Sequence, residues 1–281
     1  MNTRIRFAGH TMGMPGRDIY ECITLAREIG YDAIEVRVAA NGQINSETIT
    51  DDEARKIRAF AEQEGIEIAC LTSYYKDFVN PETRESVIRN LCRVAELADL
   101  LNCPLMRVYG GPEPYTLKGT WFCDVWSLSV SGLREVAEYA AKFGVRLCIE
   151  THSGSLTMTI RDTVRLIQDV SMSNVGILFD YAWVELGGAE FGAEAVRAAA
   201  PYIFHVHIKD WQLSSRTPLT KRSCLMGEGT VAWEEVLAEL KRVGYTGYVC
   251  DEYEKYWYPD ELPEPEIGMK HNLEYVKERL L

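Results

Sequence analysis

"AKFGVRLCIETH", residues 141–152, carries the pattern on which the fold turns. A helix-compatible stretch ends at Gly144, an apolar run follows at once, and the run closes on Glu150 and His152. Glycine tolerates the left-handed backbone that closes a helix, and a short apolar run behind such a signal reads as a buried strand. Side chains alternate along a strand, so Glu150 and His152 share a face. Polar groups at the end of a buried strand need partners or a task.

The unit recurs along the chain. "REIGYDAIEV" (27–36), "EQEGIEIACL" (62–71), "LLNCPLMRV" (100–108), "SMSNVGILFD" (171–180) and "KRVGYTGYVCDE" (241–252) each pass from a helix end marked by Gly or Asn into an apolar strand. Over residues 17–30, Ile19, Cys22, Ile23, Ala26 and Ile29 form one helical stripe. Strands are expected near 4–8, 32–37, 67–72, 104–109, 146–151, 176–180, 202–208 and 247–252, with helices between them and a last helix from about 266. Alternation of strand and helix implies a parallel sheet. Eight such units in 281 residues point to an α/β fold, a single (β/α)8 TIM barrel over residues 1–281, rather than an open sheet. No G-x-G-x-x-G follows the first strand, which weakens the dinucleotide-binding alternative. Residues 110–124 and 210–230 read as irregular loops over the catalytic face.

Composition narrows the function. Lys and Arg number 30 against 42 Asp and Glu, a formal charge of −12, whereas a nucleic-acid partner calls for a basic surface. No run reaches the roughly 18 apolar residues of a membrane span, and the N-terminus has no apolar signal-peptide region. The eight cysteines include no C-x-x-C pair, and several lie in apolar runs. They read as reduced thiols of a cytoplasmic protein.

In a barrel of this kind the C-terminal strand ends surround the active site. These ends supply His10, Glu35 and Arg37, Arg107, Glu150 and His152, Asp180, His205, His207 and Lys209, and Glu252. A single polar strand end carries little weight. Four consecutive strands ending in Glu150, Asp180, His207 and Glu252 bring three carboxylates around one axis, and these repel one another without a cation. Carboxylates with one imidazole suit Mn²⁺ first, with Mg²⁺, Co²⁺ or Zn²⁺ as alternatives. Three carboxylates and one dication leave a net charge of −1, with open positions for two substrate oxygens.

These segments resemble the xylose isomerase-like TIM barrel superfamily, in its sugar phosphate isomerase/epimerase branch. "AREIGYDAIEV" (26–36) resembles its second-strand signature, "CIETH" (148–152) its fifth-strand glutamate segment and "HVHIKD" (205–210) its seventh-strand segment. "MGEGTVAWEEVLAELKRVGYTGYVCDEYE" (226–254) is similar to its Gly-Glu-Gly loop, last helix and final glutamate strand. The resemblance implies that Glu150, Asp180, His207 and Glu252 hold a divalent metal. It also implies that Glu150 and Glu252 exchange a substrate proton from opposite faces. The expected reaction is isomerisation or epimerisation of a sugar or cyclic polyol ketone, by proton abstraction α to a metal-bound carbonyl through an enediolate.

The alternative is a lyase or dehydratase performing β-elimination on a keto-sugar, a 3-keto glycoside or a dehydroshikimate-like substrate, with His152 as general base. Many relatives carry a histidine three residues after the strand-6 aspartate, but "DYAW" (180–183) puts Trp183 there. Trp183 either stacks on a substrate ring or fills the barrel mouth. Arg107 binds a substrate oxygen or makes a structural salt bridge. Lys209 meets the substrate or pairs with Asp210, and His10 is a further substrate-binding candidate. His205 is expected in the core, and Glu228 is expected to tie down its loop. The aromatic segment "PYTLKGTWFCDVW" (114–126) reads as packing, a subunit contact or a pocket cap, which leaves a homo-oligomer open. A related repair nuclease requires more histidines than five and a basic groove. A carbohydrate is therefore the expected partner, with neither nucleic acid nor membrane.

Overall fold

The computed structural model describes residues 4–113 and 121–281. Eight parallel strands close into a barrel. They are β1 (Arg6–His10), β2 (Ala33–Val38), β3 (Glu67–Ser73), β4 (Leu105–Val108), β5 (Arg146–Glu150), β6 (Val175–Asp180), β7 (Ile203–Ile208) and β10 (Tyr248–Asp251). Each pairs with its neighbour in chain order, and β1 closes the ring on β10 through Arg6 opposite Tyr248 and Gly9 opposite Asp251. All eight strands start within two residues of their expected positions. β4 has only four residues because Pro104 precedes it.

The helix ends explain why the sequence was readable. In α1 (Ile19–Ile29), Asp18 and Glu21 form a reciprocal capping box, and Gly30 closes the helix at φ 101°. In α2 (Asp51–Glu64), Thr50 and Glu53 form the same box, and Gly65 closes it at φ 72°. Such caps satisfy backbone N–H groups that the first turn leaves free. The helix before β6 departs from expectation. Ser171, at φ 57°, is the left-handed residue rather than Asn174. Asn174 instead donates its side-chain N–H to the carbonyls of Ala137 and Val145, tying the helix Phe122–Ala141 to the residue just before β5.

The stretch 210–230 also differs. It is not irregular throughout: β8 (Asp210–Arg216) and β9 (Leu219–Cys224) form an antiparallel hairpin above the barrel. Its outer residues face solvent, so it lacks the apolar run that marks a barrel strand. Of the other loop, residues 114–120 lie outside the described part. Trp121 and Phe122 are exposed, while Trp126 is buried and donates to Asp169. Trp126 is thus a packing residue.

Apolar side chains fill the lower barrel, with Ala8, Ala33, Ala69, Tyr248 and Cys250 in one cluster and Cys70, Leu105, Cys148 and Leu178 in another. Above them the interior turns polar, and this change of layer positions the site. No helix among the described residues is long and apolar enough to cross a membrane.

Candidate active site

The polar layer begins where the strands end. Glu150 closes β5, Asp180 closes β6, His207 is the penultimate residue of β7, and Glu252 follows β10 directly. Glu150, Asp180 and His207 have no exposed surface, and Glu252 has little. One ligand-capable atom from each of the four lies within 4.8 Å of the others. His207 Nδ1 stands 3.5 Å from Glu150 Oε1 and 3.5 Å from Glu252 Oε2. Yet Nδ1 and Glu150 Oε1 are buried without a hydrogen-bond partner among the described residues. Buried polar atoms are normally satisfied. Unsatisfied donor atoms converging on one point, three of the four groups being carboxylates, fit a hard or borderline divalent ion.

Two cations hold this charge in place. Arg107 Nη1 lies 2.5 Å from Glu150 Oε2, with both side chains buried. Lys209 Nζ lies 2.7 Å from Asp180 Oδ2 and 2.5 Å from Glu252 Oε2, with Glu254 at 3.7 Å. Burial raises the Glu150 carboxyl, but Arg107 and its neighbours outweigh it and hold the group at about 2. Burial likewise opposes ionisation of Glu252, and Lys209 and His207 keep it well below the ordinary range. Asp180 is different: burial pushes it up to about 7 despite Lys209. Burial disfavours the charged His207 ring, but Glu35 and Glu252 raise it well above a free imidazole.

The expectation of a Lys209–Asp210 pair is not met. Asp210 accepts backbone N–H groups from Trp211 (2.8 Å), Gly227 (3.0 Å) and Gly229 (3.0 Å), and so binds the 227–231 loop to the hairpin. Asp210, rather than the exposed Glu228 side chain, ties that loop down. Gly229 was the available signal, because a side chain there would collide with the Asp210 carboxylate, while Gly227 takes a left-handed φ of 85°.

The rim is aromatic. The His152 ring lies 4.9 Å from the Trp183 ring and 5.4 Å from Tyr109, and its Nδ1 contacts the Ser153 carbonyl at 2.5 Å. Burial lowers its basicity, so the ring favours the neutral form. Trp183 packs on Trp211 with ring centres 5.0 Å apart. Its indole Nε1 is buried and has no hydrogen-bond partner among the described residues. His10 lies deeper. Its Nδ1 accepts the Met12 N–H at 2.9 Å, its Nε2 is 3.9 Å from Glu35, and burial lowers its pKa to about 4. His205 is buried beside Glu35, as a core residue should be.

The structure therefore gathers Arg107, Glu150, Asp180, His207, Lys209 and Glu252 at one point, sets His152 and Trp183 at the rim, and puts His10 in the layer below. Sequence reasoning assigned no role to Glu35, Glu254 or Lys221. Glu35 was visible as a polar strand end. Lys221, 4.4 Å over the Trp211 ring and 3.8 Å from Glu254, reaches the mouth only through the unforeseen hairpin.

The profile of the xylose isomerase-like TIM barrel family matches residues 23–279. The chain belongs to this family. A D-psicose 3-epimerase of Agrobacterium fabrum is 26% identical over 239 residues, covering 80% of this chain and 75% of that protein. A crystal structure of D-psicose 3-epimerase in the presence of D-fructose superposes with a TM-score of 0.81, at 19% identity, over 98% of this chain and 99% of that one. A family barrel from Mycobacterium smegmatis in complex with magnesium superposes with a TM-score of 0.75, at 19% identity, over 98% and 96% of the two chains. At such identities the superpositions bear on the fold, and the activity must be argued from the site.

Proposed function

We propose that the chain is a divalent-metal-dependent isomerase or epimerase of a ketose or cyclic polyol ketone, with Glu150, Asp180, His207 and Glu252 holding one ion. The observation that carries this reading is the convergence of three buried carboxylates and one imidazole within 4.8 Å. The ion would supply Lewis-acid stabilisation of the carbonyl and of the enediolate charge; Mn²⁺ is the first candidate.

The remaining chemistry belongs to the chain. Glu150 and Glu252 are held ionised, so either can accept the proton α to the carbonyl, and the other, on the opposite face, can return one. Lys209 and Arg107 fix the two carboxylates while leaving each an oxygen free. The indole N–H of Trp183, buried without a partner among the described residues, is available to a substrate hydroxyl, and its ring offers a stacking face. The aromatic rim excludes water from the carbanion.

The test is metal analysis of the purified protein, followed by incubation with ketoses, inososes and 3-keto glycosides in D₂O. About one Mn, Mg, Co or Zn per chain with deuterium at one substrate carbon is the expected result. A dehydrated or cleaved product would replace this reading with elimination, for which His152, neutral at the rim, is the available base. No bound metal after reconstitution would overturn both.

The same reading carries a pH dependence. Binding at Nδ1 requires the raised His207 ring to lose a proton, and Asp180, pushed up to about 7, must ionise as well. Metal affinity should therefore rise with pH, by roughly tenfold per unit for each proton displaced. Calorimetric titration at pH 6 in buffers of different ionisation enthalpy should show more than one proton released per ion. An affinity independent of pH from 6 to 8 would contradict it.

A further inference from the structure

Below the four converging donors sits a second polar group on which the proposed chemistry does not draw. Glu35, on β2, is wholly buried. Its Oε2 lies 2.6 Å from His205 Nε2 and 2.9 Å from His207 Nε2, and its Oε1 lies 3.0 Å from His207 Nε2. The Thr72 hydroxyl donates to Oε1. An ionised carboxylate only accepts hydrogen bonds. Each of the two imidazoles must therefore present an Nε2–H to Glu35. A ring that carries its proton on Nε2 has its lone pair on Nδ1, and in His207 that atom faces Glu150 and Glu252.

We propose that Glu35 is a positioning residue that fixes the tautomer and plane of His207, presenting the Nδ1 lone pair to the metal position, with Thr72 and His205 holding the carboxylate. The inference rests on the metal-centre reading above. A carboxylate behind a ligating histidine orients the ring and raises its basicity, and losing such a partner typically weakens metal binding about 10- to 100-fold. The contacts join residues 170 and 172 positions apart. They hold because β2 and β7 both project into the barrel interior. Glu35, His205, His207 and Cys250 also offer ligand atoms within 4.8 Å of one another. The nitrogen–oxygen separations of 2.6 to 3.0 Å are those of hydrogen bonds, so the group is assigned as a buttress and not as a second metal site.

The experiment compares wild type, Glu35→Gln and Thr72→Val, each 15N-labelled at histidine. Mg²⁺ and Zn²⁺ affinity is measured by competition with a chelator, and the ring tautomers are read from long-range 1H–15N spectra of the zinc-loaded proteins. Wild type should show a histidine protonated at Nε2 with its Nδ1 resonance shifted by the ion. Glu35→Gln keeps one acceptor oxygen for two imidazoles, and should bind metal about 10- to 100-fold more weakly and lose that single tautomer. Thr72→Val retains the charge and should change both readouts in the same direction by less; it carries the test if Glu35→Gln does not fold. Affinity and spectrum unchanged in both variants would overturn the assignment while leaving the metal centre standing. Two ions per wild-type chain would overturn it in favour of a second site. A wild type that binds no ion would overturn the metal-centre reading and this inference with it.

Discussion

Glu252→Gln is expected to abolish interconversion of the substrate, by about 10³-fold or more, while leaving exchange of one substrate hydrogen with solvent. Positioned acid–base groups contribute roughly 10²–10⁴-fold. The glutamine amide cannot take up a proton, so the face served by Glu252 falls silent. Glu150 is untouched and, held at about 2 by Arg107 and its neighbours, remains ionised. A two-base site then becomes a one-base site: the epimer whose hydrogen faces Glu150 washes in deuterium but is not converted. The amide oxygen still fills the ligand position, so metal affinity should weaken without vanishing, and assays at saturating metal separate the two effects. Lys209 keeps Asp180 at 2.7 Å and Glu254 at 3.7 Å, so the variant should still fold. Mass spectrometry and NMR of the substrate in D₂O check the prediction. Interconversion retained within tenfold of wild type would remove Glu252 from the proton path and turn attention to His152.

What the sequence made legible follows from how local each feature is. Strands such as β2 and β3 announced themselves because each is preceded by a helix cap whose chemistry is local, as at Gly30 and Gly65. Glu150, Asp180, His207 and Glu252 were identifiable because each ends an apolar run, and barrel closure makes all such ends neighbours. The partners were not legible. Whether Lys209 turns to Asp180 or Asp210 depends on the depth at which β6 and β7 pair, and the register shifts by one between Ile177 and Leu178. A similar irregularity between Ile34 and Glu35 sets the inward position of Glu35. Such shifts are properties of two strands together and leave no mark in either one alone. The hairpin escaped for another reason: a solvent-facing ribbon has no apolar run to betray it.

Arg107→Met should destabilise the metal-free protein by about 3–5 kcal/mol, the range for removing one partner of a buried ion pair. Methionine approximates part of the side-chain volume, so the loss is mainly electrostatic. The guanidinium is packed between Tyr74, at 4.8 Å, and Tyr109, at 4.3 Å, and its ion-pair partner among the described residues is Glu150. Without it Glu150 must either stay charged in the barrel interior or take up a proton. That choice gives the loss a pH signature. In wild type the Glu150 pKa is depressed to about 2, so its stabilisation is complete above the ordinary glutamate range and disappears as pH falls from about 4.5 toward 2. The difference between wild type and variant should therefore be largest near neutrality and narrow in acid. Saturating Mn²⁺ should also narrow it, because an ion that balances Glu150 takes over the task of the missing guanidinium. Urea unfolding at pH 7 and pH 4, with and without metal, measures all four conditions. A loss below 1 kcal/mol at pH 7, joined to a raised KM, would instead make Arg107 a substrate-binding residue, since a guanidinium free to meet a substrate oxygen contributes little to the fold.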